Sequence, residues 1–425
     1  MKYLIILCTT IFFVSCSQKE KEFVTSDKDY EAYLQIEPQE SISKYYELWN
    51  SKITTDSTQL LSFGNVASEY NRYFKNTGDI NFLKKAEQSL TKAVEIANIN
   101  KAGYRRALAR NYISQHRFKE ALALAEDART IGGGLKQTHS LLFDIYMELG
   151  NYELAEAYLD SIRKPSEFGY LIRIAKWNDY KGDLDTTIKF MEKAMKKAES
   201  SKNKGLLIWS YSNIADYYGH AGRLKDSYDY YLKTLAIDSK NAYAKKGIAW
   251  IVFSHEKNGT EALRILDSVL EHYKSPDYYL LKAEIADFMN KEALKTKNLD
   301  LYYNLVKHKA YGNMYNAYNV DFFLEHTKQY DKALNMAFKE VKNRATPESY
   351  NLLAKAHLKK DDKAKALEIV NNHIIGKTFE PALLLNVAEV YKANSHLDKV
   401  TALKKELADA VYELGPASKE KIESL

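Results

Sequence analysis

The strongest constraint on this chain is an internal period. Tyr112, Phe118 and Ala121, in the stretch LARNYISQHRFKEALALAEDA, reappear 34 residues later as Tyr146, Tyr152 and Ala155 in LFDIYMELGNYELAEAYLDSI. The same shift carries Ile214, Ala215 and Tyr218 onto Ile248, Ala249 and Val252, and Leu353 with Ala354 onto Val387 with Ala388. A period of this length means that one supersecondary unit recurs, and that each unit buries its apolar face against its neighbours. At 425 residues the chain exceeds what a single core supports, and growth along one axis removes that limit. Six prolines and seventeen glycines are too few for the turns of an all-β protein, so the units are predicted to be helical.

Within each period the pattern is an apolar residue, a small one and an aromatic, then a turn with glycine, then a second helix. Tyr146 with Gly150 and Tyr218 with Gly222 place the aromatic four residues before the turn. The segment YSNIADYYGHAGRLKDSYDYYLKTLAIDSKNA carries the pattern throughout. In period and pattern the chain resembles the tetratricopeptide repeat. The resemblance implies an all-α fold, a right-handed superhelical solenoid of stacked antiparallel helix pairs. About ten units are expected over 56–414, at 56–100, 102–135, 136–167, 168–205, 208–241, 242–276, 277–313, 314–346, 347–380 and 381–414. Bends are expected at the polar run Glu199 to Lys204 and around Asn290 to Asp300. Before the array, residues 40–55 read as a capping helix with Tyr45, Leu48, Trp49 and Ile53 on one face, and 415–425 as a solvated tail after a cap that Pro416 ends.

The first fifteen residues read differently. Lys2 is followed by an apolar run from Tyr3 to Val14, too short to span a bilayer as a helix and suited to an export signal. Its end, Phe13-Val14-Ser15-Cys16, resembles the lipobox of bacterial lipoproteins, with Phe13 departing from the usual aliphatic residue. The resemblance implies a signal peptide over 1–15, lipid attachment at Cys16, a polar tether over 16–39, and residence in the cell envelope, with the outer membrane the expected site. Cleavage would also remove Cys8, leaving no thiol for a disulfide, and would lower the formal net charge of +6 by one, to +5. So mild a charge, with no basic stripe interleaved with aromatics, argues against a nucleic-acid binder.

No linear motif for catalysis stands up. None of the ten histidines forms an H-E-x-x-H pair, so no metal ligand set is predicted. Gly132 to Thr138 has the ingredients of a phosphate loop, but Leu135 stands where a glycine must precede Lys136, and a turn between repeats is expected instead. There is no G-x-S-x-G elbow, and Asp361-Asp362 falls where the repeat's turn glycine would stand. The expectation is a binding protein with no enzymatic activity and no cofactor.

In the tetratricopeptide family the concave surface is lined by first-helix positions 2, 5, 9, 12 and 13. Carried onto this sequence, unit five offers Trp209, Asp216 and His220, and unit six offers Tyr243, Lys246, Trp250 and Phe253. Unit eight offers Tyr315, Tyr318, Phe322 and His326, while Arg106, Arg110, Lys176, Asp179 and Tyr180 make units two and four more charged. Lys176, Asn213 and Lys246 match in part the clamp by which some family members hold a C-terminal carboxylate. Tyrosine and tryptophan offer large contact area with a polar handle, which suits a protein or peptide partner. The alternative is glycan or nutrient capture by an outer-membrane lipoprotein, although no long insertion resembles those that form sugar sites in such proteins.

Overall fold

The computed structural model describes residues 23–35, 43–54 and 58–425, and the described part is helical throughout, with no strand. The expected signal peptide and Cys16 lie outside the described residues. Two short helices, α1 (Asp27–Leu34) and α2 (Lys44–Asn50), precede ten helix pairs. Units one to three are α3 and α4 (Leu60–Thr77, Ile80–Ile96), α5 and α6 (Lys101–Ser114, Phe118–Ile131), and α7 and α8 (Leu135–Leu149, Tyr152–Ser161). Units four to six are α9 and α10 (Phe168–Tyr180, Leu184–Ser201), α11 and α12 (Lys204–His220, Leu224–Ile237), and α13 and α14 (Ala242–Ser254, Gly259–Leu270). Unit seven is α15 and α16 (Asp277–Phe288, Glu292–Val306), and unit eight is α17 and α18 (Asn316–Glu325, Tyr330–Asn343). Units nine and ten are α19 and α20 (Pro347–Lys359, Lys363–His373) and α21 and α22 (Pro381–Ala393, Leu397–Asp409), after which come α23 (Val411–Leu414) and α24 (Ser418–Ser424).

The pairs close on small side chains. Ala67, Ala109, Ala175, Ala215, Ala249, Ala354 and Ala388 on the first helices are wholly buried, as are Ala86, Ala121, Ala155, Thr187, Ser227, Ala262, Ala333 and Ala366 on the second. Backbones approach at these points and larger residues fill the flanks, which is how each unit packs on the next. The turn inside every unit uses one residue in the left-handed region. Gly78, Gly150, Gly182 and Gly222 take it in four units. His116, Lys257, Asn290, Lys328, Asp361 and Ser395 take it in the other six. The geometry of the turn therefore persists where its glycine does not, with strain of roughly 1–2 kcal/mol at each such residue.

The array winds tightly enough to touch itself. Lys274, between units six and seven, donates its backbone N–H to the Thr77 carbonyl at 2.7 Å and pairs with Asp79 at 3.1 Å, a contact 195 residues apart in sequence, a little under six periods. Tyr311 packs on Ile80 and Leu83 of α4. One unit further, Asn343 donates to the His116 carbonyl at 3.2 Å and Lys119 to the Lys342 carbonyl at 2.7 Å. Arg344 then reaches Glu148 at 3.5 Å, and the Gly182 turn abuts Phe379. The turns of the first five units thus rest on the loops of the last five along a continuous seam.

Four expectations are corrected. Part of the polar tether is a docked helix: Tyr30 and Leu34, four apart on one face of α1, are buried against units five and six. Tyr30 donates to Glu261 at 2.8 Å, and the Ser268 hydroxyl donates to the Leu34 carbonyl at 2.6 Å. Burying two such side chains stabilises the docking by about 3–5 kcal/mol before ordering entropy is set against it. In the capping helix, Tyr45 and Leu48 face solvent and the packed face is instead Tyr46, Trp49 and Ile53. Tyr46 meets the Tyr70 hydroxyl at 2.7 Å. The irregular stretch of unit seven is not 290–300, where α16 is continuous, but the loop after Val306, which holds a 3-10 turn at Lys309–Tyr311. The tail is not solvated, since Ser418 and Ile422 of α24 are buried against unit ten.

The seam gives a paired prediction. A β-carbon on Gly150 would lie 2.8 Å from the Ala345 carbonyl oxygen, whereas one on Gly222 meets nothing within 4 Å, and both residues have positive φ. Gly222→Ala should cost roughly 1–2 kcal/mol in urea unfolding, from backbone strain alone. Gly150→Ala should cost about 1–3 kcal/mol more, from the collision across the seam. Equal losses would mean that the seam contact contributes nothing.

Candidate functional site

Winding on this scale turns the first helices inward around a lumen. Its charged groups are reached by solvent yet enclosed by protein on most sides, as Arg110, Glu148, Lys176, Asp216 and Glu380 illustrate. Most lumen charges pair with the neighbouring unit at equivalent positions. Arg173 meets Asp144 at 2.5 Å, Lys176 meets Glu148 at 2.9 Å, Lys246 meets Asp277 at 2.8 Å, and Lys355 meets Asp321 at 2.7 Å. These pairs form a ladder that links one first helix to the next. Burial works to lower the Lys176 pKa, and the charge and hydrogen bond of Glu148 outweigh it, leaving the ammonium ionised.

The larger opening is a cavity of about 650 Å³ where the end of α1 and the end of α3 meet units five and six. Trp209 and Ile208 of α11, Tyr243 of α13, Tyr273 and Tyr33 supply aromatic and apolar walls. Lys75, Lys204, Lys240 and Lys245 line it with His272, against Asp238. Trp209 is held edge-on to Phe168 at 5.7 Å, while Tyr243 is half exposed and donates its hydroxyl to Asp216. Asp216 also accepts from the Tyr231 hydroxyl, and burial raises the pKa of its carboxyl despite both bonds.

The second opening, about 490 Å³, lies on the seam between units three to five and the last two units. Lys176, Asp179, Tyr180, Tyr217 and His220 line one side, and Arg344, Glu348, Phe379, Glu380 and Glu413 the other. Glu413 belongs to the C-terminal segment, which folds back across the inner face: its carboxylate pairs with His220 Nδ1 at 2.8 Å. Burial works to lower the His220 pKa, and the Glu413 hydrogen bond and charge, with Asp216 and Glu380, outweigh it. Glu380 is pushed up to about 7, first by burial and then by the charges of Glu413 and Asp179. Burial likewise raises Asp179.

The predicted groove residues divide accordingly. Trp209 and Tyr243 share the 650 Å³ cavity; Lys176, Asp179, Tyr180 and His220 share the seam cleft. Lys246 faces the lumen paired with Asp277 and lies 4.9 Å from the Tyr278 ring centroid. Tyr315 packs among Tyr302, Tyr311 and Tyr318, of which Tyr318 is exposed. Arg106 serves the neighbouring loop, donating to the Gly133 carbonyl at 2.9 Å and the Thr138 hydroxyl at 3.1 Å, while Arg110 is exposed near Asp144. Phe253, 0% exposed, and Phe322, 5% exposed, are corrections: both are core, because their positions turn toward the second helices. Trp250 is not beside Trp209 in a shared cavity, since Gly415 covers it. The carboxylate clamp is not open either, because Lys176 and Lys246 are ion-paired and Asn213 donates to the Trp209 carbonyl at 2.7 Å.

Several lining residues escaped the reading of the repeat. Tyr33 lies in the presumed tether, although the i, i+4 pair Tyr30 and Leu34 was a helix signal. Tyr412 and Glu413 follow the last repeat, where a periodic pattern carries no information.

A pH dependence follows from Glu380 and His220. A carboxyl raised to about 7 in the fold binds its proton more tightly there than in the unfolded chain, so the stability it confers is lost as pH rises from about 4.5 through 7. His220, raised above 6.5, acts in the same sense: its contribution is full below 6.5 and is lost as pH rises through its folded value. Glu380→Gln should therefore raise the melting temperature by about 1–2 °C at pH 8 and leave it unchanged at pH 5. An equal shift at both pH values would place an ionised Glu380 in the fold throughout.

No protein-family model and no curated protein sequence matches the chain. Among solved structures it is similar to a tetratricopeptide repeat protein from Parabacteroides merdae ATCC 43184, at 16% identity over 56% of this chain and 93% of that one, TM-score 0.39. It is similar also to yeast Tom70, at 14% identity over 82% and 91%, TM-score 0.36. A third is the human IFIT1 dimer with PPP-AAAA, at 14% identity over 87% and 95%, TM-score 0.44. At TM-scores below 0.5 these similarities lend no support to any reading of the site.

Proposed function

We propose that the protein is a non-enzymatic binding scaffold of the cell envelope, tethered by lipid on Cys16, that holds a protein or peptide partner in the 650 Å³ cavity of units five and six. The observation that carries this reading is the make-up of that cavity. Trp209, Tyr243, Tyr273 and Tyr33 offer flat apolar area, while Lys75, Lys204 and Lys240 stand at its edge. Such a site suits a partner segment with an aromatic or aliphatic anchor flanked by carboxylates, since the anchor contributes most of the affinity and the charges steer encounter. The charged residues elsewhere in the lumen are engaged in ion pairs, which suits a structural role better than acid–base chemistry.

The test begins with mild cross-linking in cells and identification of what is recovered with the protein. Against that partner, Trp209→Ala should weaken binding about 30-fold, as loss of a central anchor does, while Tyr45→Ala on the outer surface should not change it. A soluble glycan bound in the micromolar range, and lost in Trp209→Ala, would replace the protein partner by a sugar. For the anchor, Cys16→Ala should abolish acylation and membrane retention, because several acyl chains hold a protein far more firmly than one. Unchanged retention in salt-washed membranes would remove the anchor from this reading.

A further inference from the structure

The C-terminal segment 411–418 lies on the inner face in the manner of a bound peptide. Four anchors hold it across the first helices of three successive units. The Tyr412 ring sits against Gly219 of α11, where a β-carbon would come within 3.3 Å of its Cε1 and hydroxyl. Ser254 of α13 donates its hydroxyl to the Tyr412 carbonyl at 2.5 Å. Glu413 pairs with His220 at 2.8 Å. Gly415, at φ +82°, lies so close that a β-carbon there would stand 2.7 Å from Glu284 Oε1 and 3.3 Å from Trp250 Cη2. Gly219 is buried inside a helix, where glycine costs about 1 kcal/mol relative to alanine, and the space it leaves is filled by Tyr412.

The segment is held less firmly than its flanks. No residue of α23 is buried, whereas Leu407 before it and Ile422 after it are. Its one carboxylate faces His220 but also Asp179 and Glu380, and Tyr412 faces Asp216. Glu284, raised by burial to about 7, lies under Gly415 with Lys421 nearby and Asp287 on its own helix. Thin burial and surrounding like charge mark a segment that opens locally without unfolding the array.

We propose that the inner face of α11, α13 and α15 is a second peptide-binding site, that residues 411–418 are its resting occupant, and that it accepts in trans a partner segment of the same chemistry: an aromatic residue, a carboxylate, an aliphatic residue and a glycine. The tethered segment competes at high effective concentration, so the site is closed until a partner or a change in the segment displaces it. This site stands apart from the 650 Å³ cavity, whose lining includes none of these residues.

The experiment uses the full chain and a fluorescein-labelled peptide of the sequence AVYELGPAS, residues 410–418. Gly415→Val places a side chain against Glu284 and Trp250 and should expel the segment while leaving the groove intact; Tyr412→Ala should loosen it without adding bulk. Both variants should bind the peptide at least tenfold more tightly than the unaltered chain. Adding His220→Ala to either should reverse the gain, and a peptide with lysine in place of its glutamate should not bind. Trp209→Ala should leave peptide binding unchanged, which separates this site from the cavity. Equal affinity for all forms, no binding to either variant with helical circular dichroism retained, or loss of binding on Trp209→Ala would each overturn the proposal. Should Gly415→Val fail to fold, Tyr412→Ala carries the same test.

Discussion

The contact between successive turns of the superhelix governs everything else in this molecule. An open array is stabilised by nearest neighbours alone, so its units can fray from either end. Here the turns of units one to five rest on the loops of units six to ten, through Thr77 with Lys274, His116 with Asn343, Glu148 with Arg344 and Gly182 with Phe379. The seam converts a one-dimensional stack into a closed body in which distant repeats stabilise each other. It also explains where glycine is retained in the turns. A positive φ alone tolerates histidine, lysine, aspartate or serine elsewhere, but Gly78, Gly150 and Gly182 also face another segment at close range.

Closure has an electrostatic consequence. The inner faces of the first helices are brought together around a narrow lumen, where unpaired charges would repel or be poorly solvated. The ladder of pairs between neighbouring units answers this: Arg173 with Asp144, Lys176 with Glu148, Lys246 with Asp277, Lys355 with Asp321. With those charges engaged, recognition falls to the aromatic residues and to the lysines at the rim of the larger cavity. The seam cleft is where the balance is least complete, and there burial raises Glu380 and Asp179 beside the His220–Glu413 pair.

Much of this was legible in the chain. The 34-residue spacing carries the helix pairs and their turns, because packing between neighbours is a local matter repeated ten times. Inner-face positions transferred well for Trp209, Asp216, Tyr243 and Lys246, which do face inward. They failed at Phe253 and Phe322, where the position near the end of the first helix rotates into the core. They failed also where non-repeating segments intrude: α1 supplies Tyr33 to the cavity, and residues after unit ten cover Trp250.

The sequence by itself determined the unit, its helices, its small residues at the crossings and the side of each first helix that faces inward. Periodicity records each of these because each depends on residues within one or two units. Only the tertiary structure decided how far the array winds, which turns meet which loops, how the lumen divides into two cavities, and what lies over Trp250. The physical reason is accumulation: the angle between adjacent units is small and set by many side-chain volumes at once. Whether unit one meets unit six depends on the sum of those angles, which no single motif encodes.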